Sequence, residues 1–265
     1  MERITQMQKA QGATEYLVTM GVILMIALVC IGLLVWPTGT TKDAKKSQTD
    51  IHFKIAAMEY PDLLQGLVAY WKFDEGSGTT AADSRGGTTG NLTNSPTWVT
   101  GKSGNALDFN GINNYVQIDS GQFASCSMSA WIKPGGATVA LQNIIGGTNS
   151  LGQADFLSYI SLNDDWLTIY NGSSYIYGNH FGFGGWNHVA FTFDGTTGNF
   201  IMYQNGSQTQ TGHSNYYNCR ATSIGMFSIV SGRYFNGTID EVMIFNRALS
   251  AGEIRLLYEN PGYPQ

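Results

Sequence analysis

The sequence predicts a mainly β protein, in which an N-terminal hydrophobic α-helix precedes an antiparallel β-sandwich. Three observations support this class. Residues 16–36 carry no charged side chain, and at about 1.5 Å per residue such a run can cross a bilayer as a helix. From residue 67 onward, apolar residues recur with a period of two over short segments, as in half-buried strands. Asn-Gly and Asp-Gly pairs, which close tight turns, separate several of these segments.

The first ten residues form a polar leader ahead of the apolar run. A secretory signal would instead place its apolar core before the cleavage site. Lys9-Ala10 followed by Gln11 and then Glu15 resembles the class III signal of archaeal prepilins. The resemblance implies that a prepilin peptidase cuts between Ala10 and Gln11. Glu15 then becomes the fifth residue of the mature protein, and the helix of residues 11–36 remains attached.

Glu15 lies at the start of an apolar helix, where an ionised carboxylate is costly unless it is paired. In a filament of packed helices, the α-amino group of Gln11 on a neighbouring pilin-like subunit would be its partner. In a plain membrane anchor, Glu15 would lie in the first helical turn, where the helix dipole favours a carboxylate. Both alternatives stay open: a polymerising pilin-like subunit, or a non-polymerising single-pass membrane protein.

The hydrophobic helix ends at Pro37, which disfavours its continuation. Ile51, Ile55 and Met58 then recur at helical spacing and predict a short second helix within a linker. The predicted division of the chain is a leader (1–10), a transmembrane or assembly helix (11–36), a linker (37–65), a sandwich domain (66–260) and a tail (261–265).

Composition narrows the possible functions. Charged residues make up 12% of the chain, about half the usual share, and the net charge is −5. This balance provides no basic footprint for nucleic acid, and a hydrophobic share of 43% is too high for a disordered chain. The basic residues flanking the apolar run do not decide its orientation. Together with the prepilin-like start, four Asn-x-Ser/Thr sequons and the cysteines Cys126 and Cys219 favour a C-terminal part outside the cell, at the cell surface. Glycosylation is predicted at Asn91, Asn171, Asn205 and Asn236.

The strand prediction starts at residues 67–73, where alternate residues are apolar. Further predicted strands cover residues 106–109, 115–118, 127–133, 156–162, 167–170, 187–193, 200–204, 223–229 and 238–246. Tight hairpins are predicted at the pairs Asn110-Gly111, Asp194-Gly195 and Asn205-Gly206.

The chain ends in a predicted short helix over residues 250–258. Ser250 is the expected N-cap and Glu253 completes a capping box, while Pro261 lies just beyond the end. No long amphipathic helix interrupts the strands, so the pattern favours a sandwich or jelly roll over an α/β fold.

Several segments of the outer domain resemble the laminin G-like, concanavalin A-like jelly rolls. The resemblance implies that fold, although a fold alone does not determine function. The matching segments, in the order of the family, are 66–78 (GLVAYWKFDEGSG), 104–111 (GNALDFNG), 128–134 (MSAWIKP), 186–191 (WNHVAF) and 235–250 (FNGTIDEVMIFNRALS).

The resemblance also implies a structural calcium ion, for which Asp74, Asn110 and Asp240 are the candidate ligands. Calcium takes six to eight oxygen ligands, and the alternative is that these side chains cap turns or bind backbone amides. Cys126 and Cys219 would form a disulfide if the domain lies in an oxidising compartment, and would otherwise be two free thiols.

The sequence predicts no enzyme activity, because a glycosidase needs two carboxyl groups presented together from one strand face. Its few glutamates form no such array. A binding function is favoured instead: a pilin-like or membrane-anchored surface protein recognising glycans or proteins through aromatic side chains. Candidate aromatics, expected on loops, are Trp166, Tyr175, Tyr177, Tyr216 and Tyr217.

Overall fold

The computed structural model describes residues 63–136, 141–146, 160–163, 166–216, 218–227 and 233–263. The predicted leader, the hydrophobic helix and the linker up to residue 62, with Ala10, Gln11 and Glu15, lie outside the described residues. No helix within the described ranges is long and apolar enough to span a membrane.

The described residues form eighteen strands and one helix. In chain order they are β1 (Leu67–Trp71), β2 (Thr80–Ala81), β3 (Gly90–Thr93), β4 (Thr97–Thr100), β5 (Asn105–Asn110), β6 (Tyr115–Gln117), β7 (Gln122–Phe123), β8 (Cys126–Pro134), β9 (Gln142–Gly146), β10 (Ile160–Asn163), β11 (Trp166–Tyr170), β12 (Tyr175–His180), β13 (Asn187–Asp194), β14 (Asn199–Gln204), β15 (Ser207–His213), β16 (Cys219–Arg220), β17 (Ser223–Ile224), β18 (Asn236–Phe245) and α1 (Ala251–Glu259).

Two antiparallel sheets contain most of these strands, which confirms the mainly β, jelly-roll class. The first sheet has the order β15-β14-β13-β8-β18-β5-β4, and β1 pairs with β18 as well. The second sheet has the order β12-β11-β10-β9-β17-β6-β3-β2. Strands β7 and β16 form a small separate ladder. Sequence neighbours frequently lie in different sheets, as in β5 and β6, so the chain crosses repeatedly from one sheet to the other.

The main core lies between the two sheets. On β8 the alternate residues Met128, Ala130 and Ile132 point inward, and on β11 Leu167 and Ile169 do the same. All five are buried. The period-two alternation of the sequence therefore separates core positions from outward positions on each sheet.

The outer face of the first sheet is covered by the N-terminal turn before β1 and by α1. A second apolar cluster forms there, in which Leu63 from the turn and Ile254 from α1 pack on Tyr70, Tyr203 and other outward residues of the sheet. We call this surface the covered face. Arg247 secures it by donating to the carbonyl oxygens of Leu63 and Gln65 and by pairing with Glu253 at 2.5 Å.

The three predicted tight turns have different outcomes. Asn205 and Gly206 both have positive φ, at 49° and 74°, and join the paired strands β14 and β15 as predicted. Asp194 and Asn199 pair across the β13–β14 hairpin, so that turn contains four residues and is not a two-residue turn. The Asn110-Gly111 prediction is wrong about a hairpin, because the strands it joins belong to different sheets.

Most predicted strands are present, with differences where the hydrophobic signal is weak. The strand predicted over residues 223–229 is shorter, since β17 ends at Ile224. The strand predicted over residues 156–162 lies partly outside the described residues, and β10 covers its described end. Strand β15 was not predicted, because its sequence SQTQTGH is polar throughout and forms the edge of a sheet.

Helix α1 confirms the C-terminal prediction. The Ser250 hydroxyl accepts a hydrogen bond from the Glu253 amide, and the Glu253 carboxylate accepts one from the Ser250 amide, which together make the capping box. The helix then buries Ile254, Leu256 and Leu257 against the first sheet.

Candidate functional site

An aromatic surface lies on the outer face of the second sheet, along β11 and β12. Since Leu167 and Ile169 point into the core, Trp166, Thr168 and Tyr170 must point outward. The two rings are half-buried, and Thr168 between them is fully buried. Strand β11 thus presents two aromatic rings on the side of the sheet away from the core.

Strand β12 adds three more rings, one of which faces outward because the strand contains a bulge. Tyr175 pairs with Tyr170, and Tyr177 pairs with Thr168, so both tyrosines also face outward. The register then shifts by one residue before His180 pairs with Trp166. Without this extra residue His180 would face the core, so the bulge turns its imidazole onto the outer surface.

The rings form two adjoining groups. In the first group, the Trp166 ring centroid lies 3.6 Å from that of His180 and 6.1 Å from that of Tyr177, which meets it edge to face. In the second group, the Tyr170 and Tyr175 centroids are 5.1 Å apart. We call these five residues the aromatic strip.

The structure corrects the expected location of the candidate aromatics. Trp166, Tyr175 and Tyr177 were predicted to lie on loops, but they lie on strands β11 and β12. Gly178 and the polar residues that end β12 interrupt the alternation of apolar and polar residues, so the sequence pattern does not predict this strand. Tyr216 packs against the main core, and Tyr217 lies outside the described residues.

A second notable site is an acid pair on the covered face. Adjacent residues of a regular strand point to opposite faces, but β18 has a bulge between Asp240 and Met243, and Glu241 has a φ of +54°. Both Asp240 and Glu241 are consequently buried on the outer side of the first sheet. Such a backbone angle is uncommon for a residue other than glycine, and it marks the place where the ladder is interrupted.

Hydrogen bonds hold each member of the acid pair. Asp240 accepts from the backbone amides of Lys102, Ser103 and Glu241 at 2.8–3.1 Å. Glu241 accepts from the Tyr70 hydroxyl. Burial raises the pKa of Asp240, and it raises the pKa of Glu241 to about 8.

Three polar atoms beside the acid pair have no hydrogen-bond partner among the described residues. They are Trp131 Nε1, His188 Nδ1 and Glu241 Oε1, and their residues line one small cavity that extends under the end of α1. His188 is fully buried, yet its Nδ1 atom is among these three. Burial lowers the pKa of this imidazole to about 3, so it is neutral at ordinary pH.

The three candidate calcium ligands do not form one site. The Asp74 and Asp240 carboxylates both contact the loop that precedes β5, where Asp74 accepts from the Asn105 amide. Asn110 lies at the other end of β5, where it organises the turn to Asn114. Among the described residues, no three His, Cys, Asp or Glu side chains are grouped to hold a metal ion. The amide contacts favour the alternative role of turn stabilisation, and calcium binding stays a prediction.

The predicted disulfide between Cys126 and Cys219 is present. It joins the start of β8 to β16, with a sequence separation of 93 positions and a Cα–Cα distance of 6.3 Å. Both cysteines are fully buried in the main core. Closing a loop of this length is worth about 4–5 kcal/mol in the chain-entropy model.

The four sequons differ in how their asparagines are engaged. Asn91 is exposed on β3. The Asn171 side-chain oxygen accepts hydrogen bonds from the backbone amides of Ser173 and Ser174. The Asn205 side-chain oxygen accepts one from the backbone amide of His188. Asn236 packs against glycines 111 and 135. Glycosylation itself stays a prediction, and the geometry favours Asn91.

Comparisons with known proteins agree with this architecture. The family Laminin_G_3, described as the concanavalin A-like lectin/glucanases superfamily, matches residues 109–255. No curated protein matches the chain.

Solved structures share the fold at low sequence identity. Domain 4 of AbnA, a GH43 extracellular arabinanase from Geobacillus stearothermophilus solved with arabinotriose, is 23% identical, with a TM-score of 0.57; the match covers 72% of this chain and 98% of that domain. The sialidase of Trypanosoma rangeli in complex with sialic acid is 18% identical, with a TM-score of 0.58 over 73% of this chain and 32% of its own length. The binding domain of Paraclostridial Mosquitocidal Protein 1 is 16% identical, with a TM-score of 0.59 over 74% of this chain and 52% of its own.

Proposed function

This chain belongs to the concanavalin A-like lectin/glucanases superfamily, and from that premise we propose that it is a cell-surface recognition protein that binds glycans. In this proposal the N-terminal segment is processed and assembled like a pilin, and it displays the sandwich domain outside the cell. Prepilin peptidase and pilin-like subunits are its proposed partners. The proposed location is the cell surface.

The aromatic strip is the observation that carries the glycan proposal. Its rings lie outside both apolar clusters, so the packing of the core does not explain why five aromatic side chains share this surface. The C–H faces of sugar rings are apolar and pack on aromatic rings, while neighbouring polar groups bind their hydroxyls. The arabinanase domain, which was solved with arabinotriose, supports this use of the fold.

The proposed role is binding without catalysis. The adjacent carboxylates Asp240 and Glu241 are 0% and 2% exposed, so a polysaccharide has no access to them on the covered face. The other glutamates of the domain are engaged elsewhere: Glu75 by the Ala82 amide, Glu253 by Arg247 and Glu259 by Arg255. These contacts support a recognition module in preference to a glycosidase.

The glycan proposal is tested with the full chain, purified in detergent and applied to an array of oligosaccharides. We expect the wild-type chain to bind and Trp166→Ala to lose at least about tenfold in affinity, as for aromatic anchors at other interfaces. Ile112→Ala is the control, since Ile112 is 72% exposed and lies outside the strip. Absence of glycan binding by the wild-type chain, or equal losses in both variants, would contradict the proposal.

The pilin-like part has a separate test. Mass spectrometry of the mature protein is expected to find Gln11 at the N-terminus. Glu15→Leu is expected to leave membrane insertion intact and to abolish surface filaments in electron micrographs, because the α-amino group of the neighbouring subunit loses its partner. Filaments that assemble normally from the variant would favour the non-polymerising anchor.

A further inference from the structure

The aromatic strip continues along two strands. Trp166 and Tyr170 are four residues apart on β11, and at about 3.3 Å per residue their Cα atoms are separated by about 13 Å. Tyr177 and His180 widen the first end, and Tyr175 widens the second. One sugar ring is too small to contact both groups of rings at once, whereas a linear chain of several sugars can rest on both.

Lysine and arginine are absent from a long stretch of sequence around the strip. Between Lys133 and Arg220 the chain contains no lysine or arginine, although it contains four aspartates. Proteins bind the carboxylates and sulfates of acidic sugars mainly through arginine and lysine, which supply charge-assisted hydrogen bonds. All five residues of the strip and their immediate sequence neighbours fall inside this stretch.

The cations that flank the stretch are placed elsewhere. Lys133 belongs to β8 in the first sheet. Arg220 pairs with Asp119 at 2.6 Å. Arg233 stacks on the Phe227 ring, 5.2 Å from its centroid, beside the bridge that pairs Met226 with Tyr234. That bridge follows β17, which is three strands from β11 in the sheet.

We propose that the aromatic strip binds a linear, uncharged glycan several sugars long, which lies along β11 and β12 and contacts both groups of rings. This inference rests on the proposed glycan-binding function and specifies its ligand class. Acidic glycans bind weakly at this surface, because their carboxylates lose water without gaining a cationic partner. Short fragments bind weakly as well, because they reach only one group of rings.

The test uses the full chain on two sets of immobilised polysaccharides at about pH 8, where an ordinary histidine is neutral. The neutral set contains arabinan, xylan, mannan, galactan and β-glucan. The acidic set contains polygalacturonate, alginate, hyaluronan and heparin. We expect at least one neutral polymer to retain the wild-type chain. We expect each acidic polymer to retain the wild-type chain no more strongly than it retains the Trp166→Ala variant.

Oligosaccharides cut from the retaining polymer then test the length of the site by calorimetry. Affinity is expected to rise with chain length and level off, with at least about tenfold between the shortest and longest oligomers. Tyr170→Ala is expected to reduce binding of long oligomers to the level of short ones, and to leave short ones unchanged. Trp166→Ala is expected to weaken both.

The outcomes distinguish the two proposals. Retention on an acidic polymer that depends on Trp166 overturns the uncharged ligand class and leaves glycan binding standing. A monosaccharide that binds as tightly as the longest oligomer overturns the extended site alone. If no polymer in either set retains the wild-type chain, the proposed function fails together with this inference.

Discussion

The outer faces of the two sheets arise in the same way but differ in whether another segment of the chain covers them. Each is produced by the outward positions of alternating strands, and each carries large aromatic side chains. On the covered face Tyr70 and Tyr203 are buried under the N-terminal turn and α1, whereas on the second sheet Tyr177 is 41% exposed. An outward aromatic residue therefore serves packing where another segment covers it. Where the ring remains exposed, as for Tyr177, the surface is open to a ligand, and we propose a glycan there.

The largest expected effect lies on the covered face. Ile254→Ala removes a fully buried side chain from the contact between α1 and the first sheet, and we expect it to cost about 2–5 kcal/mol in the free energy of unfolding. Denaturant titration measures the loss. Arg255→Ala, on the exposed side of the same helix, is the control and should change stability by about 0.5 kcal/mol or less. Similar losses in both variants would show that α1 does not cover an apolar face.

The acid pair should make the stability of the domain depend on pH. The pKa of Glu241 is raised in the folded state, so the contribution of this group to the free energy of unfolding is fully present at low pH. That contribution is lost as the pH rises toward about 8. The lowered pKa of His188 has the opposite effect, but only below about 6.5, where unfolded histidine gains its proton. Above that pH, the dependence of stability on pH comes from Asp240 and Glu241.

We therefore expect thermal stability to fall between about pH 6.5 and 8.5, by at most about 1.4 kcal/mol per pH unit for each acid. Glu241→Gln should remove much of this slope, because the amide keeps a hydrogen-bond acceptor for Tyr70 and has no proton to lose. Melting curves across this range provide the measurement. A variant as pH-dependent as the wild type would contradict the assignment of the slope to Glu241.

A smaller change in stability is expected from Tyr177→Ala. This side chain contributes an edge-to-face contact with Trp166 and a cross-strand pair with Thr168, each worth about 0.2–1 kcal/mol. Tyr203→Ala is the matched substitution on the covered face, where the ring is 1% exposed, and it should cost several times more. Tyr177→Ala should nevertheless reduce glycan binding. A substitution in the aromatic strip is thus expected to affect mainly binding, and one on the covered face mainly stability. Equal destabilisation by the two substitutions would remove the distinction.

The smallest expected effect concerns glycosylation. Asn91 is exposed on the outward side of the second sheet, while Asn171 and Asn205 hold turns through their side-chain oxygens. Mass spectrometry of glycopeptides from the native source should find Asn91 modified more fully than Asn171, Asn205 or Asn236. Asn91→Gln should leave folding unchanged. Higher occupancy at Asn205 than at Asn91 would show that these turns do not protect their asparagines.

Local sequence patterns predicted the elements that depend on local contacts. The capping box of Ser250 and Glu253 involves residues three positions apart, and Asn205-Gly206 specifies its own turn, so both could be read from neighbouring residues. The central strand β8 was predicted because apolar residues recur along it with a period of two, as expected for a strand that packs on a core. The polar edge strand β15 was missed, because its pairing with β14 supplies backbone hydrogen bonds without a hydrophobic pattern.

The features that form the candidate sites depend on contacts distant in sequence. The aromatic residues Trp166, Tyr175 and Tyr177 were identified as candidates, but their assembly into one strip requires the pairing of β11 with β12 and the bulge before His180. The bulge at Glu241 was likewise beyond sequence analysis, since a positive φ is unusual for glutamate. In an ideal strand Asp240 and Glu241 would point to opposite faces of the sheet, and the bulge brings both to the same face.

The position of β1 has a mechanical consequence. If the protein is anchored through its N-terminal segment while the aromatic strip holds a ligand, tension enters the domain near residue 63 and leaves through the opposite sheet. The entry point is fastened by Arg247, which binds the carbonyl oxygens of Leu63 and Gln65, and the β1–β18 ladder lies immediately behind it. The load would then cross the sandwich core, in which the disulfide between Cys126 and Cys219 is buried. Under the proposed anchoring and ligand binding, a pull on the ligand would therefore be carried by the most buried parts of the fold.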